Sequence, residues 1–156
     1  MSPDVQPGPR EITAFHEAGH AVAALVLGRP VAWVSIQPDR KYLGVCAFDK
    51  GVFRRSEDWV EREGVIALAG VAAEAGFTGE LDWAGAAHDR DYALRLARGR
   101  NGDDRKAERL VKRWLSKADH LLGRGDAWEA VERIAQELVR KDEISGRAAR
   151  HLFEGR

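Results

Sequence analysis

The chain holds a single cysteine, Cys46. No intrachain disulfide can therefore staple it, and a reducing, cytoplasmic setting is expected. No sign of charge dominates: Lys plus Arg and Asp plus Glu each number 25, for a formal net charge of zero. That balance argues against a protein whose main work is gripping nucleic acid or anionic lipid, since both need a positive excess. Long hydrophobic runs are missing as well. The longest, AVAALVLG and GVIALAGVAA, fall short of the roughly 18 residues that a membrane span requires, so no membrane partner is expected. The opening MSPDVQPGPR lacks the apolar core of a signal peptide. No lysine is followed by serine or threonine, which excludes the phosphate-loop signature G-x-x-x-x-G-K-[ST] from these residues.

What is present suits one domain. At 156 residues, 44% of them hydrophobic, the chain can bury a core without staples. Residues 1–9 contain three prolines and a glycine and read as a disordered lead-in. The pattern predicts a helix over 10–27, stopped by Gly28 and Pro30. PVAWVSIQP and LGVCAF carry β-branched and aromatic residues between turn signals, giving two strands within 31–48. Ser56, followed by Glu57 and Asp58, is a candidate N-cap for a second helix. That helix is apolar nearly all round from Val65 to Ala73 and should be buried and central. A third helix is expected over 84–97. Leu110, Val111, Trp114, Leu115, Ala118, Leu121 and Leu122 form one helical stripe, and Trp128, Val131, Ile134, Ala135 and Leu138 form another. A short helix follows Ser145. The expected class is mainly α with a small β-hairpin or sheet.

The stretch TAFHEAGHAVA carries the chemistry. Positions i and i+4 share one helix face, so His16 and His20 can aim two imidazoles at one ion, while Glu17 projects about 100° round the axis. H-E-x-x-H gives zinc two nitrogen ligands and leaves the glutamate free to take a proton from water. The plain alternative is two half-exposed histidines on an ordinary amphipathic helix. Gly19 weighs against it, because a mid-helix glycine costs about 1 kcal/mol against alanine and suggests that something passes close to the backbone. A zinc hydrolase needs a third protein ligand, and the pattern leaves Glu74, His88 and Asp89 open. His120 and His151 lie in polar parts of late helices and read as solvated.

TAFHEAGHAVAALVLG, PVAWVSIQPDRKYLGVCAF, SEDWVEREGVIALAGVAAEAGFTGE, AGAAHDRDYALRLA and AWEAVERIAQELVRKDEISG resemble, in order and spacing, the peptidase domain of the FtsH family of zinc metalloproteases. The resemblance spans residues 10–152. It implies a helical, zincin-like peptidase domain over 10–156, with a small hairpin or sheet beside the active-site helix. It further implies Zn2+ as cofactor, His16, His20 and Asp89 as its ligands, and Glu17 as catalytic base. Glu74 would orient a histidine ligand from behind. Val31, Trp33, Val34 and Ile36 match an edge strand that would hold substrate by strand addition. Two positions depart from the family pattern: Val71 replaces an arginine and His88 an asparagine. Helix geometry sends His88 about 100° away from Asp89, towards the rim of the site. Asp89 instead shares a face with Ala86 and Ala93.

The resemblance also implies an ATPase module, which these residues do not contain. The expected function is a zinc endopeptidase that cuts unfolded or flexible polypeptides without ATP. Its expected partners are polypeptide substrates, further copies of itself in a homo-oligomer, and a separate ATPase that would feed the site. The alternative is an interaction module that keeps the fold without turnover. Intact Glu17 favours the enzyme, because a binding module has no use for it. A nucleic-acid-binding helix built on RKAERLVKRW is the weakest reading, since Trp114 fits a core stripe.

Overall fold

A computed structural model describes residues 6–49, 59–100 and 102–155. Helix α1 (Pro9–Val26) begins on a proline, whose missing N–H is no loss in a first turn. It ends where Gly28 adopts a φ of +80°, a left-handed stop. Strands β1 (Val31–Ser35) and β2 (Val45–Phe48) follow, then α2 (Trp59–Thr78), α3 (Ala87–Arg100), α4 (Asp104–Leu122), α5 (Gly125–Lys141), β3 (Glu143–Ser145) and α6 (Gly146–Phe153). The protein is mainly helical with one small antiparallel sheet. Among the described residues, no helix is long and apolar enough to cross a membrane.

Helix α2 is the centre of the molecule. It buries every residue from Glu63 to Glu74 and touches α1, α3 and α4, as its all-round apolar sequence requires. The predicted stripes on α4 and α5 are the ones that pack: Leu110, Val111, Trp114, Ala118 and Leu122 face inwards on α4, and Val131, Ile134, Ala135 and Leu138 on α5. Trp114 is fully buried, so it is a core residue and unavailable as a stacking or oligomer contact. Side-chain caps start two late helices. Asp103 accepts from the Arg105 N–H at 2.9 Å ahead of α4, and Ser145 accepts from the Ala148 N–H at 3.1 Å ahead of α6.

Three expectations need correction or limits. Ser56, Glu57 and Asp58 lie outside the described residues, as do the first five of the nine assigned to the lead-in, whereas Pro9 already belongs to α1. Helix α3 starts at Ala87 rather than 84, because the Asp82 carboxylate accepts from the Ala84 and Gly85 N–H groups at 3.0 and 3.3 Å and holds them in a turn. The third correction concerns substrate. The strand carrying Val31, Trp33 and Val34, with Ile36 just past its end, is no edge: the sheet order is β2-β1-β3. Val34 pairs with Cys46 on one side and Ile144 on the other. Both hydrogen-bonding edges of β1 are used, Val31, Val34 and Ile36 are buried, and only Trp33 is exposed.

Candidate functional site

Helix α1 presents His16, Glu17 and His20 towards α2 and the first turn of α3. The His20 Nδ1–H donates to the Ile66 carbonyl at 2.8 Å, and His16 Nδ1 lies 3.4 Å from Glu74 Oε2. With both Nδ1 atoms so engaged, both Nε2 atoms turn to one place. Asp89 Oδ2 lies there, 2.9 Å from His16 Nε2 and 3.2 Å from His20 Nε2. Of the three carboxylates near the pair, Glu17, Glu74 and Asp89, Asp89 touches both rings. Glu17 is close as well, with its ligand atom within 4.8 Å of those of the histidines. Of the three third-ligand candidates, the structure brings Asp89 to the imidazoles and sets Glu74 behind His16. His88 is exposed at the rim, against the Tyr42 ring. His120 and His151 are exposed and far from any such cluster among the described residues.

Two glycines make this convergence sterically possible. A Cβ on Gly19 would come within 2.5 Å of both the Ala69 carbonyl oxygen and the Ala73 Cβ, so the close neighbour that Gly19 announced is α2. Gly70 was not singled out by sequence reasoning, yet a Cβ there would lie 2.5 Å from His20 Nε2 and 2.6 Å from His16 Nε2. A side chain at 70 would fill the space on which the two nitrogens converge. The only sequence signal for it is a glycine amid the alanines of a buried helix.

Electrostatics point the same way. Burial pulls His16 down, but its hydrogen bonds to Asp89 and Glu74 prevail and raise its pKa to about 10. Burial likewise opposes protonation of His20, and Asp89 nevertheless lifts it above the ordinary histidine value. Burial would raise Asp89, yet the two imidazoles hold it well below the usual carboxylate range. This site concentrates negative charge around two nitrogen lone pairs. A carboxylate that favours a proton on each imidazole would equally favour one divalent cation in their place. Two imidazoles, a carboxylate, second partners behind both rings and a bare glycine opposite them fit a zinc ion. Glu17 is buried, and burial, the largest influence, raises its pKa against the pull of the histidines.

The site floors a cleft of about 560 Å³. One wall is the segment that leads into β2 and the other is the start of α3. That segment lies tight on the site, since a Cβ on Gly44 would sit 3.0 Å from Glu17 Cγ. Val45, Cys46 and Phe48 of β2 line the cleft.

Fold and site together define a mainly helical domain with a candidate metal centre of the H-E-x-x-H type. No family model matches the chain. It is 32% identical over 151 aligned positions to the ATP-dependent zinc metalloprotease FtsH of Acidimicrobium ferrooxidans, covering 93% of this chain and 21% of that protein. It is 27% identical over 183 aligned positions to the ATP-dependent zinc metalloprotease FtsH of Neorickettsia risticii, covering 93% of this chain and 28% of that protein. Nearly the whole chain is thus similar to a region of these proteases, and it spans about a fifth to a little over a quarter of their length.

Proposed function

We propose that this chain is a zinc endopeptidase that hydrolyses flexible polypeptide. The observation that carries the reading is Asp89, 69 positions beyond His20, with its carboxylate against both Nε2 atoms and Glu17 beside the pair, within 4.8 Å. The similarity to FtsH proteases supports the same chemistry.

Zinc held by His16, His20 and Asp89 would supply a Lewis acid that polarises the scissile carbonyl and makes water a better nucleophile. Glu17 takes the proton of the attacking water and returns it to the leaving amine. Its burial suits that task, because a carboxylate with a raised pKa is a stronger base than a solvated one. Glu74 orients His16 through Nδ1, and the Ile66 carbonyl does the same for His20.

Substrate in this reading lies along β2 rather than β1. Among the described residues the outer edge of β2 is unpaired, and β2 lines the cleft. An extended peptide added there would be held by backbone hydrogen bonds that do not read side chains. No phosphate-loop signature occurs in these residues, so cleavage is proposed to be independent of ATP, with any unfolding left to a separate ATPase. Self-association into a homo-oligomer is part of the proposal and is read by light scattering.

The test is casein hydrolysis with and without chelator, alongside zinc content. Glu17→Gln should keep one zinc per chain and lose turnover by about 10²–10⁴-fold, whereas Asp89→Ala should lose zinc and activity together. Casein left intact by the zinc-loaded chain, or cut at the normal rate by Glu17→Gln, would return the chain to the class of non-catalytic modules.

A further inference from the structure

Water attack on a peptide carbonyl pushes the π electrons of C=O onto oxygen, and that charge calls for hydrogen-bond donors. Three donor-bearing side chains of the cleft are already engaged. The Thr13 hydroxyl donates to the Pro9 carbonyl at 3.0 Å, and the Nδ1 atoms of His16 and His20 face Glu74 and Ile66. At the rim the situation differs. Tyr42 and His88 approach from opposite walls and meet edge to face, with ring centroids 5.4 Å apart. Both line the cleft above His16, Glu17 and Asp89. Among the described residues, neither the Tyr42 hydroxyl nor a His88 ring nitrogen has a hydrogen-bond partner in the protein.

The Tyr42 side of this pair is firmly held. Asp39 accepts from the N–H groups of Lys41 and Tyr42 at 2.7 and 2.6 Å, and its own N–H donates to the Tyr42 carbonyl at 2.9 Å. The turn so closed leads directly into Gly44, which rests on Glu17. On the other wall, His88 immediately precedes Asp89, so a ligand-bearing helical turn fixes its backbone.

We infer that Tyr42 and His88 are catalytic residues of this site, whose O–H and N–H donate hydrogen bonds to the carbonyl oxygen of the scissile bond as it becomes negative. A tyrosine hydroxyl carries one donor, and a neutral imidazole carries one N–H in either tautomer. As water attacks, its oxygen bonds to the carbonyl carbon, its proton passes to Glu17, and the carbonyl π electrons settle on the oxygen between the two donors. When the tetrahedral species collapses, the C=O bond reforms, the C–N electron pair leaves with the amine, and Glu17 returns the proton. One water and one peptide bond become one carboxyl and one amine group. The ring–ring contact holds the donors in place before substrate arrives, which is where such stabilisation gains most.

The inference rests on the peptidase reading, and the experiment separates the two. Zinc-loaded wild type, His88→Ala, His88→Asn, Tyr42→Phe and the double variant His88→Ala/Tyr42→Phe are compared on a flexible fluorogenic peptide. Binding is measured to a phosphonamidate peptide, which imitates the tetrahedral species, and to a ground-state peptide lacking the cleavable bond. His88→Ala should lower kcat by about a hundredfold with KM and zinc content unchanged. Tyr42→Phe should lower kcat by roughly tenfold, and His88→Asn, which restores an N–H donor, should recover part of the loss. Phosphonamidate affinity should fall in parallel with kcat while ground-state affinity stays level. Wild-type turnover with kcat unmoved in both single variants overturns the inference and leaves the peptidase reading standing. An effect confined to KM, or zinc lost from His88→Ala, overturns it equally. No turnover by wild type overturns the reading, and the inference with it.

Discussion

The inner and outer helix contacts of this protein are built from opposite materials. Where α1 meets α2 the closest approaches are at small residues: Gly19 lies on Ala69 and Ala73, and Gly70 lies on the rings of His16 and His20. Where α4 packs on α2 and α5 on α1, large side chains enter the contact, with Trp114, Val131, Ile134 and Leu138 among the most completely enclosed in the molecule. Small residues bury little apolar area but let two backbones approach closely. Large ones hold helices further apart and supply most of the area that stabilises a fold. The inner contact therefore fixes positions, and the outer contacts hold the molecule together. Histidines at i and i+4 converge with a distant aspartate only because the helix behind them comes so near.

Breaking the inner contact should cost function first. Gly70→Val places its Cβ and two methyl groups where His16 Nε2 and His20 Nε2 converge. Zinc should be lost on dialysis and casein cleavage should fall below detection. Folding should weaken by only about 1–3 kcal/mol, the range for overpacking. Zinc content read beside a urea titration checks both halves. A variant that keeps its zinc would show that Gly70 is not what opens the site. Breaking an outer contact should do the reverse. Leu138→Ala removes a fully buried side chain, and the midpoint of unfolding should drop by an amount equal to about 2–5 kcal/mol. The folded fraction should still bind one zinc per chain. Loss of zinc from folded Leu138→Ala would dissolve the distinction between the contacts.

The same division explains what could be read from sequence. The histidine pair and Glu17 are one turn of one helix, so spacing alone revealed them. The stripes of α4 and α5 were equally legible, since period and burial coincide there. Gly70 was silent because its reason lies on another helix, in the rings of His16 and His20. Strand β3 has three residues, too few for an alternation, and only its pairing with β1 makes it a strand. The edge role expected for β1 came from the resemblance alone, and nothing in the local pattern could have corrected it. Asp89 was one of three chemically acceptable ligands in the sequence, and the fold sets its carboxylate against both imidazoles.

A smaller effect concerns pH, and it sharpens the role of the site's charges. His16 has its folded pKa raised from 6.5 to about 10. A group with a raised folded pKa stabilises fully below its unfolded value and loses that contribution as pH climbs through its folded one. Zinc-stripped protein should therefore lose stability between pH 6.5 and about 10. A contribution of roughly 1–2 kcal/mol would lower Tm by about 3–6 °C. Zinc-loaded protein should lack this component, because the metal replaces the proton. Asp89→Asn should flatten the slope in stripped protein, since Asp89 is the chief cause that raises His16. An unchanged slope in Asp89→Asn would assign the pH dependence to groups outside the site.

The smallest effect lies at the turn between α5 and β3, at the margin of the contact between α5 and α1. Asp142 is the one non-glycine residue with positive φ, at 68°, among the described residues. Such a conformation costs most L-residues about 1–2 kcal/mol, and aspartate tolerates it better than most. Its backbone oxygen accepts from the Ile36 N–H at 2.8 Å, which ties the turn to the end of β1. Its carboxylate pairs with Arg10, which also donates to the Val139 carbonyl at 2.7 Å. Both partners of the ion pair are largely exposed, at 49% and 41%, so the pair adds at most about 1 kcal/mol. Asp142→Gly gives up that pair and gains freedom in the unfolded chain, but it relieves the backbone. These changes offset, and its stability should stay within about 0.5 kcal/mol of the parent. Asp142→Ala loses the pair and keeps the strain, and should be about 1 kcal/mol less stable than Asp142→Gly. Neither substitution should alter zinc content or turnover. Chemical denaturation of the two variants side by side reads the difference, and an alanine variant as stable as the glycine one would mean that the turn relaxes out of its left-handed conformation.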